Sequence, residues 1–118
     1  MSRRDPRVTL AQISEYALKA QELCAAYPLP LILSDWQRQA AFERVMEVLG
    51  EAVKRLPPDL IGQYPTVDWR GIAGMRDRVS HSYDAIDYEI LWQAVQTGIP
   101  GLLSAVRQMI LDVERGSD

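Results

Sequence analysis

His81 is the only histidine of the chain, and it closes a segment dense in reactive and charged side chains. That segment reads Trp69-Arg70-Gly71-Ile72-Ala73-Gly74-Met75-Arg76-Asp77-Arg78-Val79-Ser80-His81-Ser82-Tyr83. An imidazole with an ordinary pKa near ~6.5 serves as base or acid at neutral pH. Asp77 precedes His81 by one helical turn, so a helix that persists this far puts both on one face. A carboxylate in reach of an imidazole orients it and stabilises its protonated form. Arg76 sits one residue earlier, about 140° around a regular helix from His81. Arg76 and His81 therefore converge on one phosphate only if the helix loosens near its end, or if two chains each supply a group.

The chemistry that fits these groups is cleavage of an RNA phosphodiester without a metal. A base takes the proton of a ribose 2′-hydroxyl, and the oxygen attacks the adjacent phosphate. An arginine neutralises charge that accumulates on the phosphoryl oxygens. The same residue types have a plainer use. A lone histidine near a helix C-terminus interacts well with the dipole, and Arg-Asp-Arg is an ordinary solvated run. Residue types alone leave both readings open. Cys24 is the only cysteine. One Cys and one His cannot form a Cys/His zinc site within a chain. No internal disulfide is possible, and any Ser-His-Asp or Cys-His centre has to use His81. Cys24 itself lies on an apolar face and reads as a small buried hydrophobe.

The elements that must position these groups read as helices almost throughout. Asp5-Pro6 is an N-cap followed by proline at the first helical position. Leu10, Ile13, Ala17, Ala20 and Cys24 then recur at helical spacing, with Tyr16, Leu23 and Tyr27 beside them. This predicts a helix over 6–26, stopped by Pro28 and Pro30, with Tyr27–Leu33 as a connector. Ser34-Asp35-Trp36-Gln37 has the pattern of a capping box. It opens a second helix over 35–56, with Trp36, Ala40, Ala41, Val45, Val48, Leu49, Ala52 and Val53 as its apolar positions. Gly50 interrupts this helix; a glycine there either permits the close approach of another helix or is simply tolerated at a cost of about 1 kcal/mol. Residues 57–67 read as a loop with one short turn near Asp59–Ile61. Asp68 caps a third helix from Trp69 to about His81–Tyr83, with Ile72, Met75 and Val79 as its stripe and Gly74 as a second close-contact mark. Asp87 caps a fourth helix with Ile90, Leu91, Ala94 and Val95 on its buried face, and Gly98 closes it. Pro100 starts a fifth helix carrying Leu102, Leu103, Val106, Met109, Ile110 and Val113. Trp36, Trp69 and Trp92 read as core or interface anchors. The fold class is all-α, a bundle of four to five helices with short connections.

At 118 residues the chain is one domain over 1–118, large enough for a real core, with 1–4 and 115–118 as its loose ends. No apolar run approaches a membrane span, and no signal peptide is evident, so a cytoplasmic protein is expected. The formal net charge is -3, whereas nucleic-acid modules are usually basic. Yet eleven of the thirteen basic residues are arginine, whose planar fork suits phosphate.

Arg76-x4-His81-x-Tyr83 resembles the Arg-x4-His-x-Tyr signature of the HepT-like group of HEPN-domain ribonucleases. The surroundings resemble that family in order along the chain. They are Gly50-Glu51-Ala52-Val53-Lys54-Arg55-Leu56, Val67 to Arg76, Asp87-x-Glu89-Ile90-Leu91-Trp92 and Ile99-Pro100-Gly101-Leu102-Leu103. The resemblance implies a HEPN-type antiparallel helical bundle that forms a homodimer, with the two motifs facing each other. Met75 and Val79, beside the motif, are candidates for that interface. It implies a metal-independent ribonuclease with no cofactor and with Arg76 and His81 catalytic; the support from Asp77 rests on its spacing from His81 and not on the resemblance. It further implies the toxin role in a toxin–antitoxin pair. The partner is then a nucleotidyltransferase-fold antitoxin that attaches AMP to Tyr83. Two positions differ from the family pattern: Asp77 stands where Asn is usual, and Ser82 where Gly is usual. Asp77 adds negative charge where an RNA phosphate should sit. A second reading, favoured by the acidic balance, is a non-catalytic helical module that pairs with a minimal nucleotidyltransferase.

Overall fold

The computed structural model describes residues 5–80 and 86–116, which are helical with short connections and contain no strand. Five long helices carry the bundle: α1 (Pro6–Ala26), α3 (Trp36–Lys54), α5 (Trp69–Ser80), α6 (Tyr88–Thr97) and α7 (Ile99–Gly116). Two short ones, α2 (Leu29–Leu33) and α4 (Pro58–Ile61), lie between them. No helix among the described residues is long and apolar enough to cross a membrane.

Local chemistry explains most boundaries. The Asp5 carboxylate accepts the Arg7 backbone N–H at 2.9 Å, and Pro6 occupies the first turn, where its missing donor costs nothing. Asp87 accepts the N–H groups of Glu89 and Ile90 at the start of α6. The Gly98 N–H closes α6 on the Ala94 carbonyl at 2.8 Å. At α3 the cap is Asp35, which accepts the Gln37 N–H at 3.0 Å. The expected Ser34–Gln37 box does not form, because the Ser34 hydroxyl instead donates to the Leu31 carbonyl at the end of α2.

That helix α2 replaces the expected connector. Pro28 is its N-cap residue and Pro30 lies in its first turn, where proline is tolerated. The turn exists because it drives Ile32, fully buried, into the core. At the other end α7 continues through Arg115 and Gly116, so these two residues are helical where loose chain was expected.

The core is continuous. From α1 come Leu10, Ile13, Ala17, Ala20 and Cys24, as expected. From α3 come the expected Leu49, Ala52 and Val53 together with Phe42 and Met46, so the stripe departs from the expected one only in its first half, where Trp36, Ala40 and Ala41 are exposed. Helix α3 packs along both α1 and α5, and α1 also packs along α7. Trp69 is buried and Trp92 packs half-buried against the core, whereas Trp36 lies 73% exposed. Met75, expected at an interface between chains, is inside the core of its own chain. A Cβ at Gly74 would meet nothing within 4 Å, so this glycine marks no close contact among the described residues.

Candidate active site

Helix α5 is held firmly at its start. Asp68 accepts the Gly71 N–H at 3.0 Å. The Trp69 indole N–H donates to the Tyr64 carbonyl at 2.9 Å, and the Tyr64 hydroxyl donates to Asp112 on α7. Ile72 and Met75 point into the core, with Val79 half-buried on the same stripe. This orientation turns Arg76 and Asp77 toward the seam with α3.

Gly50 sets the closeness of that seam. A Cβ at this position would stand 2.8 Å from the Arg76 backbone nitrogen and 3.1 Å from the Ala73 carbonyl oxygen. Only glycine lets the α5 backbone lie this near α3. On either side of the contact, charges pair across the two helices. The Arg76 Nε lies 2.9 Å from Glu51 Oε2, and Lys54 Nζ lies 3.7 Å from Asp77 Oδ1. Asp77 Oδ1 also receives Arg76 Nη1 at 3.3 Å. Glu51 Oε1 lies 3.9 Å from Arg55 Nη2. Arg76 is 38% exposed, so water screens its pair with Glu51. Such a pair contributes about 0–1 kcal/mol to stability. Its main physical effect is orientation: the guanidinium is held while donors remain for an anion.

Of the expected site residues, Arg76 and Asp77 are brought to this seam. His81 and Tyr83, with Ser82 between them, lie outside the described residues, as does the expected end of α5. Glu51 and Lys54 are the partners that spacing alone did not single out. A glycine inside a helix, followed at once by Glu and a turn later by Lys, was the available signal. The block Gly50-Glu51-Ala52-Val53-Lys54 and the motif around Arg76 are thus two sides of one contact.

Arg76 also lines a cleft of about 310 Å³ walled by Gln12, Arg44, Glu51 and Arg55. Among the described residues, no three or more His, Cys, Asp or Glu side chains group to hold a metal ion. Burial pushes the Cys24 thiol up to about 11. It stays protonated at neutral pH and is no nucleophile.

The family model described as ribonuclease HepT-like matches residues 13–109. A Methanocaldococcus jannaschii protein provisionally named RNase MJ0127 is 37% identical over 114 residues, covering 97% of this chain and 94% of the relative. A second protein of that organism, provisionally named RNase MJ1216, is 31% identical over the same shares of both chains. A Thermococcus cleftensis protein provisionally named ribonuclease HepT is 40% identical over 70 residues, 59% of this chain and 64% of the relative. No solved structure matches.

Proposed function

The chain belongs to the HepT-like ribonuclease family, and we propose that it is a metal-independent endoribonuclease acting as the toxin of a toxin–antitoxin pair. The observation that carries this reading is Arg76, oriented by Glu51 at 2.9 Å and open to a cleft. His81 takes the proton of a ribose 2′-hydroxyl. The freed oxygen attacks the adjacent phosphorus, and the bond to the 5′-oxygen of the next nucleotide breaks. A cyclic phosphate forms, and the departing oxygen takes up a proton from an imidazolium or from water. Arg76 stabilises the phosphoryl charge during this exchange, and loss of an acid–base group in such a step costs ~10²–10⁴ in rate. Asp77, four residues before His81, supports the imidazolium.

Two chains complete the site. Five residues separate Arg76 from His81, a spacing that a regular helix would turn by about 140°, and a homodimer lets one chain's arginine meet its partner's histidine. Neutralisation falls to a nucleotidyltransferase-fold antitoxin that attaches AMP to Tyr83. The added phosphate sits where an RNA phosphate must bind and offers Arg76 a competing anion.

The test is cleavage of RNA by the purified protein in EDTA, beside the His81→Ala protein. The wild type cuts and the variant does not, while helical content is the same. Equal cutting by both contradicts the role of His81. No cutting by the wild type, together with a stable complex with the nucleotidyltransferase, establishes the non-catalytic module that the net charge of -3 favours. For Tyr83, intact mass after co-expression rises by AMP units in the wild type and not in Tyr83→Phe. Neutralisation without a mass gain contradicts the modification.

A further inference from the structure

The cleft beside Arg76 extends beyond the catalytic motif. Along α3, Arg44, Glu47, Glu51 and the capping residue Arg55 follow one another at three- and four-residue steps, so they form one stripe. From Arg44 to Arg55 this stripe covers about 16 Å of helix. A stacked strand advances about 3.4 Å per nucleotide, so the stripe is long enough for more than one backbone phosphate. Three guanidinium groups face two carboxylates in the cleft, which makes it locally positive in a chain of net charge -3.

The arginines are also braced. Arg55 Nη1 donates to Gln12 Oε1 on α1 at 3.4 Å, and Arg55 Nη2 lies near Glu51, which also holds Arg76. Arg44 pairs with Glu47 at 3.1 Å. A guanidinium carries five N–H donors, so these contacts leave donors for a further acceptor. A brace from another helix is more than a solvated arginine needs. With Glu51 it places Arg55 and Arg76 on either side of a shared carboxylate.

We propose that this cleft is the track of the RNA backbone, with Arg55 and Arg44 holding phosphates next to the one cleaved at Arg76. The proposal rests on the ribonuclease reading for the identity of the polyanion. Arg76 then serves the reacting phosphate and the α3 stripe serves its neighbours, which places substrate register on α3.

The test uses a 2′-O-methyl RNA oligonucleotide, which has no 2′-hydroxyl proton to lose and so reports binding alone. Fluorescence anisotropy is followed across a salt series for the wild type, for Arg44→Ala with Arg55→Ala, and for a control, Arg70→Ala with Arg107→Ala. The control removes the same charge from exposed positions outside the cleft. Single-strand binding weakens with salt by about 0.7 log units per phosphate contact. The cleft variant is expected to bind at least tenfold more weakly, with a slope shallower by about 1.4, while the control binds like the wild type. Unchanged affinity and slope in the cleft variant overturn the proposal. An equal loss in the control overturns it too, since bulk charge then accounts for binding. Wild-type protein that cuts RNA while the cleft variant binds normally removes the track and leaves the ribonuclease. Wild-type protein that binds through the cleft but leaves unmodified RNA intact does the reverse. Absence of any binding by the wild type overturns both.

Discussion

Helix α3 has two seams of opposite character. Toward α1 it is dry: Phe42, Met46 and Leu49 are essentially fully buried and meet Leu10, Ile13 and Ala17 in one core. Toward α5 it meets a helix that also buries Trp69, Ile72 and Met75, and here it adds a charged, half-open rim, with Glu51 and Lys54 facing Arg76 and Asp77 around the close approach at Gly50. Fully burying one large apolar side chain is worth about 1.5–3 kcal/mol, whereas a half-exposed ion pair is worth about 0–1. Stability therefore resides in the buried apolar residues of both seams. The ion pairs hold chemistry in place at little energetic gain. One helix can serve both because its apolar and charged residues lie on different faces.

Changes on the two sides should separate stability from activity. The largest loss of stability is expected from Phe42→Ala, at about 3–5 kcal/mol. That is a large share of a typical ~5–15 kcal/mol, so denaturant midpoints fall sharply and activity falls with the folded fraction. Gly50→Ala is intermediate and acts at the seam with α5. Alanine gains about 1 kcal/mol in helix propensity. Its Cβ meets backbone at 2.8 Å, and overpacking costs about 1–3 kcal/mol. Melting should show a net loss, with activity reduced further because α5 is pushed from α3. Propensity-driven stabilisation would contradict the close approach.

The smallest effect is a pH dependence away from the charged seam. The Tyr88 hydroxyl donates to Glu43 Oε2 at 2.5 Å, and burial with this carboxylate pushes the phenol up to about 12. Tyr64 is likewise pushed up to about 12, chiefly by its hydrogen bond to Asp112. A raised phenol pKa means that the folded chain holds its proton more tightly. The contribution is complete below the ordinary value of 10.0 and is lost as pH rises through about 12. Asp112 works in the opposite sense, because Tyr64 first and Gln108 next hold its carboxyl below the usual value. Its contribution is present above the ordinary carboxylate value and is lost as pH falls through the lowered one. Melting temperatures should decline between pH 10 and pH 12, less steeply in Tyr88→Phe than in the wild type. Identical alkaline profiles would show that the Tyr88–Glu43 bond contributes nothing.

Legibility in the sequence followed the same division. Helix α1 was readable to its ends because one apolar stripe lies between Asp5-Pro6 and Tyr27-Pro28. Helix α3 was readable as a helix, and in its second half also in rotation, but not in its first half, since Trp36, Ala40 and Ala41 offer a second apolar face that stays exposed. Helix α2 was hidden because Pro28 and Pro30 break helices in general yet fit a cap and a first turn. At the site, Arg76 and Asp77 were marked by type and spacing. Their partners Glu51 and Lys54 stood only within the Gly50–Leu56 block of the family resemblance, and their pairing was not legible, because it joins distant segments and depends on how α5 lies on α3.

The central claim is that the ion pairs between α3 and α5 serve catalysis and not stability. It is tested most directly by following thermal melting and RNA cleavage side by side in Arg76→Ala. The account predicts a melting curve within about 1 kcal/mol of the wild type and a cleavage rate lower by ~10²–10³. An unfolded or strongly destabilised protein, or one that melts normally and cuts RNA at the wild-type rate, would contradict it.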